Sequence, residues 1–169
     1  MTAESPTSFG LEAACDLLYR EAELLDDRDL DGWIDLFCRD AIYWLPQGDE
    51  DPETQASLIF DDRERMEERV YRLLDTMAYA QLPPSRTQHD VSNIRVMAAD
   101  ATTAQVRCNL VVHEVRLGDP SQVGLGQPRS FAGRCTYDLR QVDGRWLIAK
   151  KVVRLLDRES PQFNLTFII

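Results

Sequence analysis

Residues 130–156 read SFAGRCTYDLRQVDGRWLIAKKVVRLL, and their pattern decides the fold. Through 130–142, Phe131, Cys135, Tyr137 and Leu139 alternate with Arg134, Thr136, Asp138 and Arg140, the period of two that marks a strand with one buried face. Asp143-Gly144 follows, a pair suited to the positive φ of a tight primed hairpin turn. Residues 145–156 then return as a strand. Their apolar Trp146, Leu147, Ile148, Val152 and Val153 occur on both faces, which places this strand inside the sheet and covered on both sides.

Working outward, residues 102–117 repeat the alternation, with Val106, Cys108, Leu110 and Val112 on one face and Gln105, Arg107 and Asn109 on the other. Residues 86–98 carry Val91, Ile94 and Val96. Gly118, Gly124 and Gly126 with Pro120 and Pro128 mark a long loop between two strands. Successive strands joined by turns make an antiparallel meander.

Before Pro83-Pro84, which bars further helix, the period changes. Leu11, Ala14, Cys15, Leu18, Ala22 and Leu25 form the stripe of an amphipathic helix ending near Asp26-Asp27-Arg28. Asp29 caps a second, shorter helix with Leu30, Trp33, Ile34, Phe37 and Cys38 at helical spacing. Residues 41–46, AIYWLP, read as a short edge strand closed by Pro46, and Gln47 to Gln55 as an acidic loop. Asp61 with Glu64 three residues on suggests a capping box for a third helix bearing Met66, Val70, Leu73, Leu74 and Met77. Helices first and long strands after them predict an α+β domain, with helices on one face of a curved antiparallel sheet and a cavity between the layers.

Length and charge narrow the function. A chain of 169 residues suits a single domain spanning 1–169, with residues 1–10 as a flexible tail. The formal charge of −10 disfavours nucleic acid, whose affinity for proteins comes mostly from Lys and Arg on phosphates. No apolar run approaches the roughly 20 residues of a membrane helix and no signal peptide is visible, so the expected location is the cytoplasm, without membrane contact. The four cysteines lack metal or disulfide spacing and read as free, packed thiols.

Catalytic motifs are sparse. Cys108 and His113, five apart on a strand, point to opposite faces and cannot share an iron–sulfur cluster. A facial triad of His89, His113 and Asp138 or Glu114 has no spacing that sets it at ligand distance. No serine sits in a nucleophile elbow, and no glycine-rich phosphate loop occurs. Acid/base work in the cavity needs only one shifted His or carboxylate and a hydrogen-bond donor, which leaves Tyr19, Tyr43, Asp35, His89, His113 and Asp138 as candidates. The mixed charges of Gln105, Arg107, Asn109, Arg134, Thr136, Asp138 and Arg140 on one sheet face suit solvent or a polar protein interface equally. The apolar run Leu165-Thr166-Phe167-Ile168-Ile169 should dock on the domain's own sheet or on another subunit.

Several segments, in consistent order over residues 11–169, resemble one family. Ser57-Leu58-Ile59-Phe60-Asp61-Asp62-Arg63, Pro83-Pro84-Ser85-Arg86-Thr87 with Val91-Ser92-Asn93, Phe131-Ala132-Gly133-Arg134, and Leu155-Leu156-Asp157 through Asn164-Leu165 are similar to the small, or beta, subunit of aromatic-ring-hydroxylating Rieske-type dioxygenases. Leu18 to Ala22 and Tyr43-Trp44-Leu45-Pro46 resemble it too. The resemblance implies the nuclear-transport-factor-like (cystatin-like) cone shared with ketosteroid isomerase and scytalone dehydratase. It implies a non-catalytic subunit without cofactor or metal, paired with a large (alpha) subunit that holds both the Rieske iron–sulfur cluster and the mononuclear iron. It further implies a homotrimer within a three-plus-three hexamer. No catalytic residue carries over; Arg63, Arg86, Trp44, Arg134 and Phe167 are the candidate subunit contacts. The alternative is a stand-alone cone-fold dehydratase or isomerase using His89, Asp138 or Tyr43 in the cavity.

Overall fold

The computed structural model describes residues 9–48, 52, 54–122 and 124–169. Two helices, α1 (Leu11–Asp26) and α2 (Leu30–Ile34), precede strands β1 (Phe37–Pro46) and β2 (Ser57–Asp62). Helix α3 (Arg63–Asp75) and a 3-10 turn (Tyr79–Gln81) lead into β3 (Arg86–Ala99), β4 (Thr103–Val115), β5 (Arg129–Val142) and β6 (Arg145–Leu155). The strands form one sheet in the order β2-β1-β6-β5-β4-β3.

The predicted meander is present: β3, β4, β5 and β6 pair antiparallel in sequence, and Asp143 and Gly144 both take positive φ at the β5–β6 turn. The sheet is not wholly antiparallel, however. β1 lies parallel to β6, with Tyr43 opposite Lys151 and Trp44 opposite Val152. A parallel neighbour requires a long crossover, and here β2, α3 and the whole meander supply it. As predicted, β6 is interior, burying Val153 and Leu155 on its inner face and Val152 on its outer face.

Three local expectations are corrected. Phe37 and Cys38 belong to β1, not to the second helix. The α2 ladder ends at the Asp35 cap, and the Leu36 carbonyl accepts from the Ile148 N–H of β6, so the sheet captures the chain one turn early. β1 is not an edge strand either, because β2 covers its other side through Leu45 opposite Ile59 and Trp44 opposite Phe60. The residue that caps α3 is Asp62, whose Oδ1 accepts from the Arg65 N–H at 2.9 Å. The alternation of β2 turns its neighbour Asp61 to the helix side instead, where it binds Arg69 at 2.7 Å.

The helices cover one sheet face. Ala14, Leu18 and Leu25 of α1 and Trp33 of α2 pack on Val106, Leu110, Val112, Leu139 and Ile148, and Trp33 meets Phe37 and Tyr43 edge-on at 4.9 and 5.9 Å between ring centroids. Phe9 is buried and sits 4.7 Å from the Trp146 ring, which anchors the chain as α1 begins; residues 1–8 fall outside the described residues, as does part of the loop from Gln47 to Gln55. Among the described residues no helix is long and apolar enough to cross a membrane.

Gly133 shows why one position of the Phe131 to Arg134 segment needs its residue type. A Cβ there would lie 2.7 Å from the Arg154 carbonyl oxygen and 3.1 Å from its carbon, both rigid backbone of β6. Gly133→Ala is therefore expected to cost about 1–3 kcal/mol, as overpacking does. In thermal denaturation this reads as a Tm lowered by roughly 2–12 °C, and an unchanged Tm would contradict the tight β5–β6 approach.

Candidate functional site

The inner face of the sheet carries a polar cluster sealed from solvent. Glu21 of α1, only 3% exposed, accepts from Lys151 Nζ at 2.8 Å and Trp33 Nε1 at 3.1 Å on one oxygen, and from the Tyr137 hydroxyl at 2.8 Å on the other. Lys151, 1% exposed, also donates to the Ile169 main-chain oxygen at 2.9 Å. The Tyr43 hydroxyl donates to that same oxygen and accepts from the Ile169 N–H. Every polar atom of the cluster thus has a partner, the condition under which buried charges are tolerated.

Ionisation follows from this packing. Burial pulls the Lys151 ammonium toward deprotonation, but Glu21 and the surrounding groups outweigh it and hold the pKa above the usual lysine value. Burial pushes Tyr43 up to about 12 despite the opposing charge of Lys151, and burial with Glu21 pushes Tyr137 well above its ordinary value. At neutral pH the cluster therefore holds a charged lysine and two neutral phenols.

The segment Leu165 to Ile169 fills the cone, resolving the two docking options in favour of its own domain. Phe167, Ile168 and Ile169 are buried, with Phe167 against Phe131 at 5.5 Å. Gln81 donates to Thr166 at 2.7 Å, and Arg129 holds the approach by donating to the Phe163 and Asn164 carbonyls while paired to buried Glu114. Between Leu25, Leu30, Leu73, Ser85 and Phe167 there remains a cavity of about 30 Å³. That is room for a water or two, whereas ligand sites typically offer about 300–1,000 Å³.

The residues singled out from the sequence do not converge. His89 is buried on β3, its Nδ1 2.6 Å from Asp26 Oδ1, and Asp26 also accepts from the His89 N–H and Thr87 hydroxyl. Burial raises the Asp26 carboxyl, but these bonds outweigh it and hold the pKa below the usual value. His89 Nε2 is buried without a partner and does not line the small cavity. Tyr43 lies on β1, separated from β3 by three strands. Asp138 is on the opposite, outer face, accepting from Gln105 at 2.9 Å. His113 is half-exposed beside Asp90, while Tyr19 and Asp35 face solvent. Cys108 and Cys135 are buried opposite one another as free thiols, and Cys135 together with burial pushes Cys108 far above the ordinary thiol range. Among the described residues no three His, Cys, Asp or Glu side chains gather as a metal site.

The proposed contact residues divide. Arg86 and Arg134 are exposed, as a contact requires. Arg63 binds the Ile34 and Phe37 carbonyls and Glu67, tying α3 to the α2–β1 corner. Trp44 is 6% exposed on the outer face, donating to the Ser57 hydroxyl and edge-on to the Phe60 ring. Phe167 is corrected: its ring is inside the domain and is not presented to a partner.

Glu21 and Lys151 were missed, although the sequence held a signal. Glu21 stands on the helical stripe of Ala14, Leu18 and Leu25, and Lys151 shares the inward register of Val153 and Leu155. Lys151→Met is expected to lower stability by about 3–5 kcal/mol, because it strands a buried carboxylate; Glu21→Leu combined with Lys151→Met should recover part of this. Chemical denaturation of the three variants measures both. Raised pKa values for Lys151, Tyr43 and Tyr137 mean that the unfolded chain loses these protons first as pH rises. Stability should hold below about pH 10 and fall from there to about pH 12, with a smaller fall in the double variant.

Comparison with known proteins now bears on this geometry. The model of the ring hydroxylating beta subunit family matches residues 20–160. The small oxygenase component of the p-cumate 2,3-dioxygenase system of Pseudomonas putida is 40% identical over 141 residues, 80% of this chain and 73% of that protein. The beta subunit of benzoate 1,2-dioxygenase from Burkholderia mallei superposes with a TM-score of 0.75 at 28% identity, covering 95% of this chain and 98% of the other. An NTF2-like protein with a cystatin-like fold from Novosphingobium aromaticivorans, 19% identical, gives a TM-score of 0.59 over 84% of this chain and 79% of its own, which shows the expected cone fold. A six-stranded cone closed by its own last residues, matched along most of its length by these relatives, belongs to the beta subunits of ring-hydroxylating dioxygenases.

Proposed function

We propose that this chain is the scaffold of an oxygenase that hydroxylates an aromatic carboxylate, holding large subunits in place and contributing no cofactor of its own. The observation that carries the reading is the filled cone: among the described residues the cavity beside the buried Phe167 and Ile168 is about 30 Å³, too small for an aromatic ring. The iron–sulfur cluster and mononuclear iron then reside in the large subunit, and three small subunits join three large ones in the cytoplasm as one 1–169 unit each. Aromatic carboxylates are favoured as substrates because the p-cumate and benzoate systems are named for them.

A dehydratase or isomerase reading is not favoured. His89 and Asp26 do form the pair a general base would need, but Asp138 is across the sheet and Tyr43 is locked on Ile169. The buried His89–Asp26 bond instead joins the end of α1 to β3.

The chain produced alone should bind no stoichiometric iron and turn over neither benzoate nor p-cumate. Produced together with its large subunit, it should form a complex with ring-hydroxylating activity, measured by product formation and metal analysis. In that complex His89→Gln should change kcat by less than about threefold, whereas a general base typically contributes about a hundredfold or more. Iron in the isolated chain, or a hundredfold fall in kcat with the complex intact, would overturn the scaffold reading.

A further inference from the structure

Four arginines on the outer sheet face stand in two staggered rows across β3, β4, β5 and β6. Arg95, Arg107 and Thr136 face one another across β3, β4 and β5; Asn109, Arg134 and Arg154 do so across β4, β5 and β6. Arg107 and Arg134 are thus diagonal neighbours, about 7–8 Å apart. The shorter Thr136 and Asn109 lie between the arginines, in the floor of an open hollow of about 390 Å³. A bulge puts Arg95 there. From the Ser92–Asn109 pair to the Arg95–Arg107 pair, β3 advances by one residue more than β4, and Asn93 takes a φ of 53°. Strict alternation from Ser92 would send Arg95 to the inner face; the extra residue turns Ile94 in against the core and Arg95 out.

These side chains are unsatisfied among the described residues. None of the four guanidinium groups donates a hydrogen bond, and none has a carboxylate within ion-pair distance. Arg154 has only the Trp44 ring, 5.7 Å away. The carboxylates flanking the hollow along the same face are engaged elsewhere, Asp90 by Gln88 and His113, and Asp138 by Gln105. Like charges directly opposite in a sheet are destabilising, yet a chain with 29 acidic residues against 19 basic ones sets no acid among these four. The lining is polar apart from Cys108 and Cys135, which are buried.

A carboxylate or phosphate group is bound by one or two guanidinium forks through paired charge-assisted hydrogen bonds. Four forks around a floor of amide and hydroxyl donors therefore call for several anionic groups on one small skeleton. Small-molecule sites that hold rings or chains are lined mainly by apolar and aromatic side chains, and this hollow has no such wall. We propose that Arg95, Arg107, Arg134 and Arg154 form a binding site for a compact polyanion bearing three or more phosphate or carboxylate charges, with Asn109 and Thr136 donating from the floor. A bound polyanion sits between both arginine pairs, so the arrangement that costs the free chain stability becomes the source of affinity. The site rests on charge placement in this chain and needs neither iron nor a large subunit.

Isothermal titration of the full-length chain with inorganic tripolyphosphate, citrate and benzoate tests it. Tripolyphosphate or citrate should bind saturably, and raising NaCl from about 50 to 500 mM should weaken that binding by about tenfold or more. Benzoate, with a single charge, should bind about a hundredfold more weakly. Whichever polyanion binds more tightly assigns the site to phosphates or to polycarboxylates. Arg107→Gln with Arg134→Gln should weaken binding by about tenfold or more. Arg95→Gln with Arg154→Gln, again one arginine from each pair, carries the same test should the first variant fail to fold. Arg72→Gln with Arg145→Gln, which changes two exposed arginines outside the hollow, should leave binding unchanged. Failure of both polyanions to saturate, benzoate binding as tight as theirs, or equal losses in the hollow and control variants would overturn the proposal.

Discussion

A carboxylate and an ammonium 2.8 Å apart at the centre of the cone govern how the rest is arranged. Taking two charges out of water costs several kcal/mol per ion, and their attraction offsets this only when geometry and extra hydrogen bonds are right. Here Trp33 and Tyr137 supply the extra donors to Glu21, and the Ile169 oxygen supplies the extra acceptor for Lys151. Each partner comes from a different element: α2, β5 and the segment beyond β6. The pair therefore couples the helix layer, the sheet and the last residues, and a shift in any one leaves a charge unsatisfied.

That coupling explains the closed interior. Tyr43 and Lys151 grip Ile169 while Gln81 holds Thr166, so the segment 165–169 enters the cone for polar as well as apolar reasons. Gln81, Ser85 and Glu114 continue the network toward the mouth, with Ser85 donating to Glu114 at 2.6 Å and Glu114 paired to Arg129. Arg129 in turn fixes Phe163 and Asn164, where Asn164 takes a positive φ and the chain turns inward. Here residues 167–169 fill the cone and extend the core.

Much of this was legible in the sequence. Period two over Val106 to Val112 and Phe131 to Leu139 announced strands, because alternation is imposed by the pleat itself. The Asp143-Gly144 turn was legible because few residues tolerate positive φ. The parallel union of β1 with β6 was not, since Tyr43 and Lys151 are far apart in sequence and local pattern says nothing of which strands meet. Phe37 and Cys38 misled because apolar spacing at i+3 and i+4 fits a helix as well as the inner face of a strand that starts early. The cluster itself was hidden in plain sight: a glutamate on an apolar stripe looks like an exception until its partner's position is known.

The outer face obeys the opposite logic. Inside, Glu21 and Lys151 are matched at 2.8 Å because burial removes them from solvent; outside, Arg95 stands opposite Arg107 and Arg134 opposite Arg154 across neighbouring strands. High dielectric makes that arrangement survivable at modest cost in the free chain. Any group that removed the water there would strengthen the repulsion unless it brought carboxylates. Apolar burial alone could not make that distinction, since it is indifferent to register and partner.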